Sequence, residues 1–369
     1  MKAQGKRGVG IDAGKGTMVV RIGEDTNSGT KIIRWHGKTD AQGRAMLKGM
    51  LQDGDVVGIE AGEPGFTIAR ELREKPGVKV LVLNPGNLAM IFKSHRKTDA
   101  EDALKLMRLV MRTPENELPV VQIPDEKERL QRAIVSEDGF LTVTRTRLIL
   151  RLHSVYLRAG ITTLSRKDLK TPEKRAEAMK LFEGKAEYFM KEAKRLERLL
   201  EPVEDELEEV KSAAKAELEK EPLTPVLMSV PGVGPSLALT FLANVGNGNR
   251  FDTAAQLSNF VGFVPRLYIS GKSVKLGHIT KCGNTHLRRV AVQAAWALVR
   301  AKEGGALKQK YQDLRERRGK KIAIVAVARK LVEIMWVLAR KQILYKYATP
   351  QMLKRKYSFY KLGNKGSVA

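Results

Sequence analysis

The chain has 369 residues, 43% hydrophobic and 29% charged, which is more than one compact core holds and excludes wholesale disorder. Its net charge of +26 points to a polyanionic partner; residues 231–369, with 26 Lys and Arg against 5 Asp and Glu, carry +21 of it. One cysteine, Cys282, excludes an internal disulfide and a cysteine-rich zinc site. The most apolar late stretch, Ile322 to Leu338, is interrupted by Arg329, Lys330 and Glu333, so no membrane span is expected. The opening MKAQGKRGVG holds no apolar signal core, and a cytoplasmic location is expected.

Residues 1–123 read as an α/β domain. Val9 to Asp12 is a short buried strand, and Met18 to Ile22 continues as a second after a Gly-rich turn. Val56 to Glu60 is an apolar strand ending on an acid, Phe66 to Lys75 a helix, and Val78 to Leu83 a strand stopped by Asn84-Pro85-Gly86. Thr98 is the expected N-cap of a helix reaching Arg112.

Residues 124–220 become almost purely helical. Leu141, Leu148, Leu152 and Val155 form one apolar stripe. Phe182, Ala186, Phe189, Ala193, Leu196, Leu200, Val203, Leu207, Val210 and Ala214 alternate spacings of four and three, a coiled-coil seam. The seam serves either a helical hairpin within the chain or a subunit contact, and Pro202 is expected to kink or restart the helix. Residues 221–345 form a third, mainly α unit, and 346–369 a basic tail, Lys-rich from Lys354 to Lys365 and mobile at its end.

Asp12 and Glu60 each close a strand, and Asp99 and Asp102 share one helix face. Distant carboxylates of this kind suit Mg2+, which takes hard oxygen ligands, two ions roughly 3.5–4 Å apart clamping the attacking and leaving oxygens of a phosphoryl transfer. Each acid alone reads more simply as a turn or cap residue, and Glu63 and Glu101 read as solvated. In the third unit, Pro231-Gly232-Val233-Gly234-Pro235 reads as a helix-hairpin-helix element with Gly232 and Gly234 at a phosphate, or as a tight turn between helices. Lys272, Lys275, Lys281, Arg288 and Arg289 are the candidate phosphate contacts around Ser270. By spacing alone Ser270 is a turn residue, and His278 and His286 are polar fillers. No phosphate-binding loop of the nucleotide-hydrolase type exists.

Taken together, GIDAGKGTMVV, VGIEAGEP, VLVLNPGNLAMIFKSHRKTDAEDALKLMRL, TRTRLILRLHSVYLRAGI, SVPGVGPSLALTFLANVG and FVGFVPRLYISGKSVKLGHITKCGNTHLRR resemble the IS-one-ten family of bacterial insertion-sequence transposases over nearly the whole chain. The resemblance implies an RNase H-like, RuvC-type N-terminal domain in which Asp12, Glu60, Asp99 and Asp102 bind Mg2+, two ions per site. It implies a C-terminal domain in which Ser270 attacks DNA and forms a transient phosphoserine link. It further implies a homodimer or tetramer joined through the middle helices, composite sites between subunits, and a structured guide RNA, the bridge RNA, pairing with target and donor DNA. Two departures concern the subgroup: Gly62-Glu63-Pro64 follows the Glu60 motif where the family has an aromatic or small polar pair, and Ile269-Ser270 replaces two serines. The alternatives are a RuvC-like hydrolytic nuclease acting on DNA junctions without a serine intermediate, and a non-enzymatic nucleic-acid-binding protein.

Overall fold

The computed structural model describes residues 7–91, 98–270, 273–301 and 304–363, and the chain divides into two units, 1–124 and 125–369. Among the described residues no helix is long and apolar enough to cross a membrane.

Unit 1 is built on a five-stranded sheet. β1 (Arg7–Ala13) and β2 (Thr17–Thr26) form a hairpin, closed where the Gly14 N–H donates to the Thr17 carbonyl at 2.8 Å. β3 (Gly29–Lys38) adds antiparallel to β2, and α1 (Ala41–Met50) follows. Neither was expected from the sequence; β3 buries little, so its apolar period is weak. β4 (Val56–Glu60) returns parallel to β1, α2 (Glu63–Arg73) crosses over, and β5 (Lys79–Leu83) lies parallel to β4. The order is β3-β2-β1-β4-β5. Val80 to Leu83 are buried without alternation, as a parallel strand covered on both faces requires. α3 (Pro85–Ile91) and α4 (Asp99–Arg112) complete the unit, and the Thr98 hydroxyl caps α4 by accepting from the Glu101 N–H at 3.3 Å.

Glycines set how closely α4 lies on the sheet. A methyl at Gly10 would meet the Ala103 carbonyl at 2.0 Å and the Met107 nitrogen at 2.3 Å. One at Gly8 would strike Met111 at 2.3 Å, and one at Gly58 would strike Val110 at 2.6 Å. Residues 8, 10 and 12 of one strand share a face, as do 58 and 60 of the next. The helix runs against β1, so its N-terminal turn lies toward Asp12. Gly10→Ala should cost about 3 kcal/mol, because the obstacle is rigid backbone rather than a side chain. Faster amide exchange across β1 and α4 of the full chain would register it, and unchanged protection would refute the close-packing argument.

Unit 2 begins with α5 (Glu126–Arg158), α6 (Pro172–Met179) and α7 (Glu187–Lys220). The seam of α7 packs on α5 of the same chain, in antiparallel fashion. Ala193 and Leu200 cluster with Leu152, Val155 and Tyr156, and Leu207 and Val210 with Leu141. Arg145 meets Glu204 at 2.7 Å, and Arg151 meets Glu192 at 2.7 Å. The hairpin reading of the seam therefore accounts for its buried residues. The helix does not restart at Pro202: α7 runs through it, with Pro202 on the exposed side and buried α5 contacts on either side of it.

α8 (Thr224–Met228), α9 (Pro235–Val245), α10 (Ala254–Val261), α11 (Thr285–Arg300), α12 (Gly305–Arg318) and α13 (Lys320–Lys341) surround the largest core, with Phe241, Leu287, Leu331 and Met335 at its centre. Between α10 and α11 a ribbon of β6 (Pro265–Ser270) and β7 (Ser273–Ile279) interrupts the expected helical composition. The stretch expected as a basic tail is in part α14 (Pro350–Tyr360), which buries Tyr357. Lys356 donates to the carbonyls of Met228, Val230 and Val233 at 2.8, 2.6 and 3.0 Å, and burial lowers its ammonium to about 8. Only residues 364–369 of that tail lie outside the described ones.

Candidate active site and nucleic-acid interface

In unit 1 the four expected acids share one corner of the sheet. Ile11 of β1 pairs with Ile59 of β4, so Asp12 and Glu60 are the next positions on two adjacent parallel strands. Strand alternation turns both toward the face that Gly10 and Gly58 open to α4. Asp99 and Asp102 lie in the first turn of α4, where unpaired helix N–H groups favour carboxylates. Asp12 and Asp102 are half-buried, whereas Glu60 and Asp99 are exposed. Asp102 pairs with Lys105, one turn on, at 3.1 Å. Among the described residues no three Asp, Glu, His or Cys stand close enough to hold one ion. Holding an ion thus requires side-chain rearrangement at a corner already lined with hard oxygen donors. Glu63 starts α2 and is exposed.

In unit 2 Ser270 ends β6 at the tip of the ribbon, opposite Ser273 and exposed. Register separates the two faces of the ribbon. Tyr268 pairs with Lys275, and Ile269 with Val274. One face therefore carries Tyr268, Ser270, Ser273 and Lys275. The other carries Leu267, Ile269, Val274 and Leu276, each at least 62% exposed. Lys275 and Lys281 are exposed cations beside the serine in sequence, while Lys272 lies outside the described residues.

The remaining expected phosphate contacts are engaged inside the chain. A methyl at Gly232, whose φ is +80°, would meet the Ala294 carbonyl at 2.5 Å, and one at Gly234 would meet the Tyr360 hydroxyl at 2.8 Å. Both glycines thus allow tight packing of the hairpin against α11 and α14. Arg288 donates to the Val261 carbonyl at 2.7 Å and to the Thr285 hydroxyl at 3.1 Å, tying α10 to α11. Arg289 lies 3.0 Å from His286 Nδ1.

Burial, reinforced by the Arg289 charge, lowers His286 from 6.5 to about 4, so the imidazole is neutral near pH 7 and Nδ1 can accept from Arg289. Between those values the unfolded chain binds the extra proton. The stabilising contribution of neutral His286 is therefore complete above pH 6.5 and is lost as pH falls toward 4. His286→Gln should flatten that part of the acid limb of a denaturant-melt series. An identical limb in both proteins would contradict the assignment. The sequence reading of His286 as a polar filler missed this pairing, because α5 and α11 supply its burial together; Gly139 of α5 lies against its ring.

Comparison with known proteins bears on both units. A DEDD transposase profile of the IS110 type matches residues 9–159, and a profile described as "Transposase IS116/IS110/IS902 family" matches residues 224–312. The chain is 38% identical over 148 residues to the transposase for insertion sequence element IS1111A of Coxiella burnetii, covering 40% of each. It is 32% identical over 153 residues to an uncharacterized 43.6 kDa protein of insertion element IS110 from Streptomyces coelicolor, covering 41% of this chain and 37% of that one. A Sinorhizobium fredii protein named "Putative transposase y4qE" is 27% identical over 363 residues, covering 90% of this chain and 88% of its own. Thus the chain spans only about two fifths of the first two relatives but most of the third. The matched regions include the carboxylate corner and the serine ribbon, and the chain belongs to the IS110/IS116 family of transposases.

Proposed function

We propose that the protein is a DNA transposase that cuts and rejoins strands, with an RNase H-like, RuvC-type unit 1 and a nucleophilic serine, Ser270, on unit 2. The observation that carries this reading is the grouping of Asp12, Glu60, Asp99 and Asp102 at one corner of the sheet under α4. The strand order, three antiparallel strands continued by two parallel ones, supports the RNase H-like assignment.

Four carboxylates are hard donors that suit Mg2+, so the residues fit the ion in kind, and these four would hold it. When bound, such an ion stabilises charge developing on the transferring phosphoryl group and on the attacking oxygen. The chain's own residues supply the rest. Lys275 shares the face of Ser270 and can neutralise a phosphate beside it. The exposed position of Ser270 leaves its hydroxyl open to a strand. DNA is the proposed substrate, a structured guide RNA the proposed second partner, and a dimer or tetramer the proposed working assembly. The latter two rest on the family resemblance.

The test begins with purification of the protein from cells carrying its element and sequencing of any RNA that co-purifies. The complex is then incubated with DNA spanning the element ends. Strand-exchange products are expected with Mg2+ and none after chelation. Products that persist in chelator would remove the metal from the mechanism, and absence of any discrete RNA would remove the guide.

A further inference from the structure

Within unit 2, helices α5, α7, α9 and α14 border a cavity of about 200 Å3 that the transposase reading does not use. Its apolar wall includes Ala214 and Leu239, and its polar groups include Asp138, Lys211, Lys215 and Tyr360. Asp138 is half-buried, and its carboxylate accepts no hydrogen bond among the described residues. Burial pushes that carboxyl above its usual range, against the charges of Lys211 and Arg289. Lys211 is paired with Glu208 at 2.6 Å, while Lys215 has no ion-pair partner among the described residues. The Tyr360 hydroxyl stands over Gly234 at the α9 N-terminus.

The Asp138 carboxylate, half-buried in the cavity lining and accepting from no group of the chain among the described residues, is open to a ligand that brings N–H groups. The lysines call for negative charge on the same ligand. A cavity of about 200 Å3 can take one flat ring system, with an attached phosphate directed to the lysines of its lining. Among the nucleobases only guanine offers two adjacent N–H donors, N1–H and the N2 amino group, on one edge. Uracil and thymine offer a single donor between acceptors, and adenine and cytosine set a donor beside an acceptor. That edge is free only when the base is unpaired.

We propose that this cavity binds one unpaired guanine of a nucleic-acid strand, with Asp138 accepting from N1–H and N2–H, Tyr360 against the ring, and Lys211 and Lys215 facing the adjoining phosphate. The site is independent of the carboxylate corner and of Ser270, so it stands or falls separately from the catalytic reading.

The test measures binding of the full chain to fluorescent oligothymidylate carrying one central dG, or deoxyinosine in its place, which lacks the N2 amino group. The dG strand should bind about tenfold more tightly, the effect of one hydrogen bond to a charged acceptor. Asp138→Ala should erase the difference between the two strands, and Lys215→Gln should weaken both alike. The same pair in oligouridylate distinguishes an RNA guanine from a DNA one. Competition on the unaltered protein needs no variant to fold: guanosine monophosphate should displace the dG strand better than inosine monophosphate. Equal affinities for guanine and inosine in both DNA and RNA, or a preference that survives Asp138→Ala, would overturn the proposal.

Discussion

Asp12→Asn is expected to leave the protein folded and bound to nucleic acid while lowering metal-dependent strand cleavage by about a thousandfold. Asparagine keeps the size of the side chain and one oxygen, but removes the charge that a divalent ion needs from the β1 end of the corner. Asp12 sits beside Glu60 across the β1–β4 pairing, so charge lost at one position leaves the other to hold the ion with the α4 acids alone. Titration with Mn2+ followed by calorimetry reads the loss without relying on turnover. Glu63→Gln is the matched control: Glu63 is also acidic and near Glu60 in sequence, but it begins α2 in solvent and should change nothing. Full cleavage by Asp12→Asn in Mg2+, or an equal loss in Glu63→Gln, would end the assignment of the corner.

Ser270→Ala should abolish the covalent protein–DNA adduct and lower strand exchange by about 10³-fold or more, as removal of a nucleophile does. The proposed step joins Ser270 Oγ to phosphorus and breaks one bridging P–O bond of the strand. The hydroxyl proton is released and the departing oxygen acquires one. The ester retains the energy of the broken linkage for rejoining, which hydrolysis cannot do. Ser273→Ala is the discriminating control, because Ser273 faces Ser270 directly across the ribbon. A stalled reaction on nicked DNA, digested and read by mass spectrometry, should place the modified residue at 270 in the parent and in Ser273→Ala. Full cleavage by Ser270→Ala with no adduct in the parent would make the protein a hydrolytic nuclease; an adduct at Ser273 would move the nucleophile.

Local chemistry determined much of unit 1. The apolar runs at Val9, Met18, Val56 and Val78 became β1, β2, β4 and β5, and Thr98 capped α4. Strand period and helix caps are fixed by residues a few positions apart, so they can be read from the chain alone. The acids at 12, 60, 99 and 102 were legible as candidates for the same reason, since each closes or opens such an element. Their grouping was expected from the resemblance, but how closely α4 lies over the two strand ends was not legible, because it depends on Gly10 and Gly58 admitting the helix against strands distant in sequence.

Unit 2 depended more on tertiary structure. The seam of α7 was visible as a period, but a period does not name its partner, and only the fold matched Leu200 and Leu207 to α5. The β6–β7 ribbon left little pattern because its apolar residues remain exposed. Gly232, Gly234 and Arg288 carried the composition of a phosphate site, yet α10, α11 and α14 engage them from within the chain. Lys356 read as part of a Lys-rich tail, until three carbonyls distant in sequence supplied acceptors for its ammonium. A basic side chain declares its charge in the sequence, but whether that charge meets solvent, a phosphate or a buried carbonyl is decided by residues a hundred positions away.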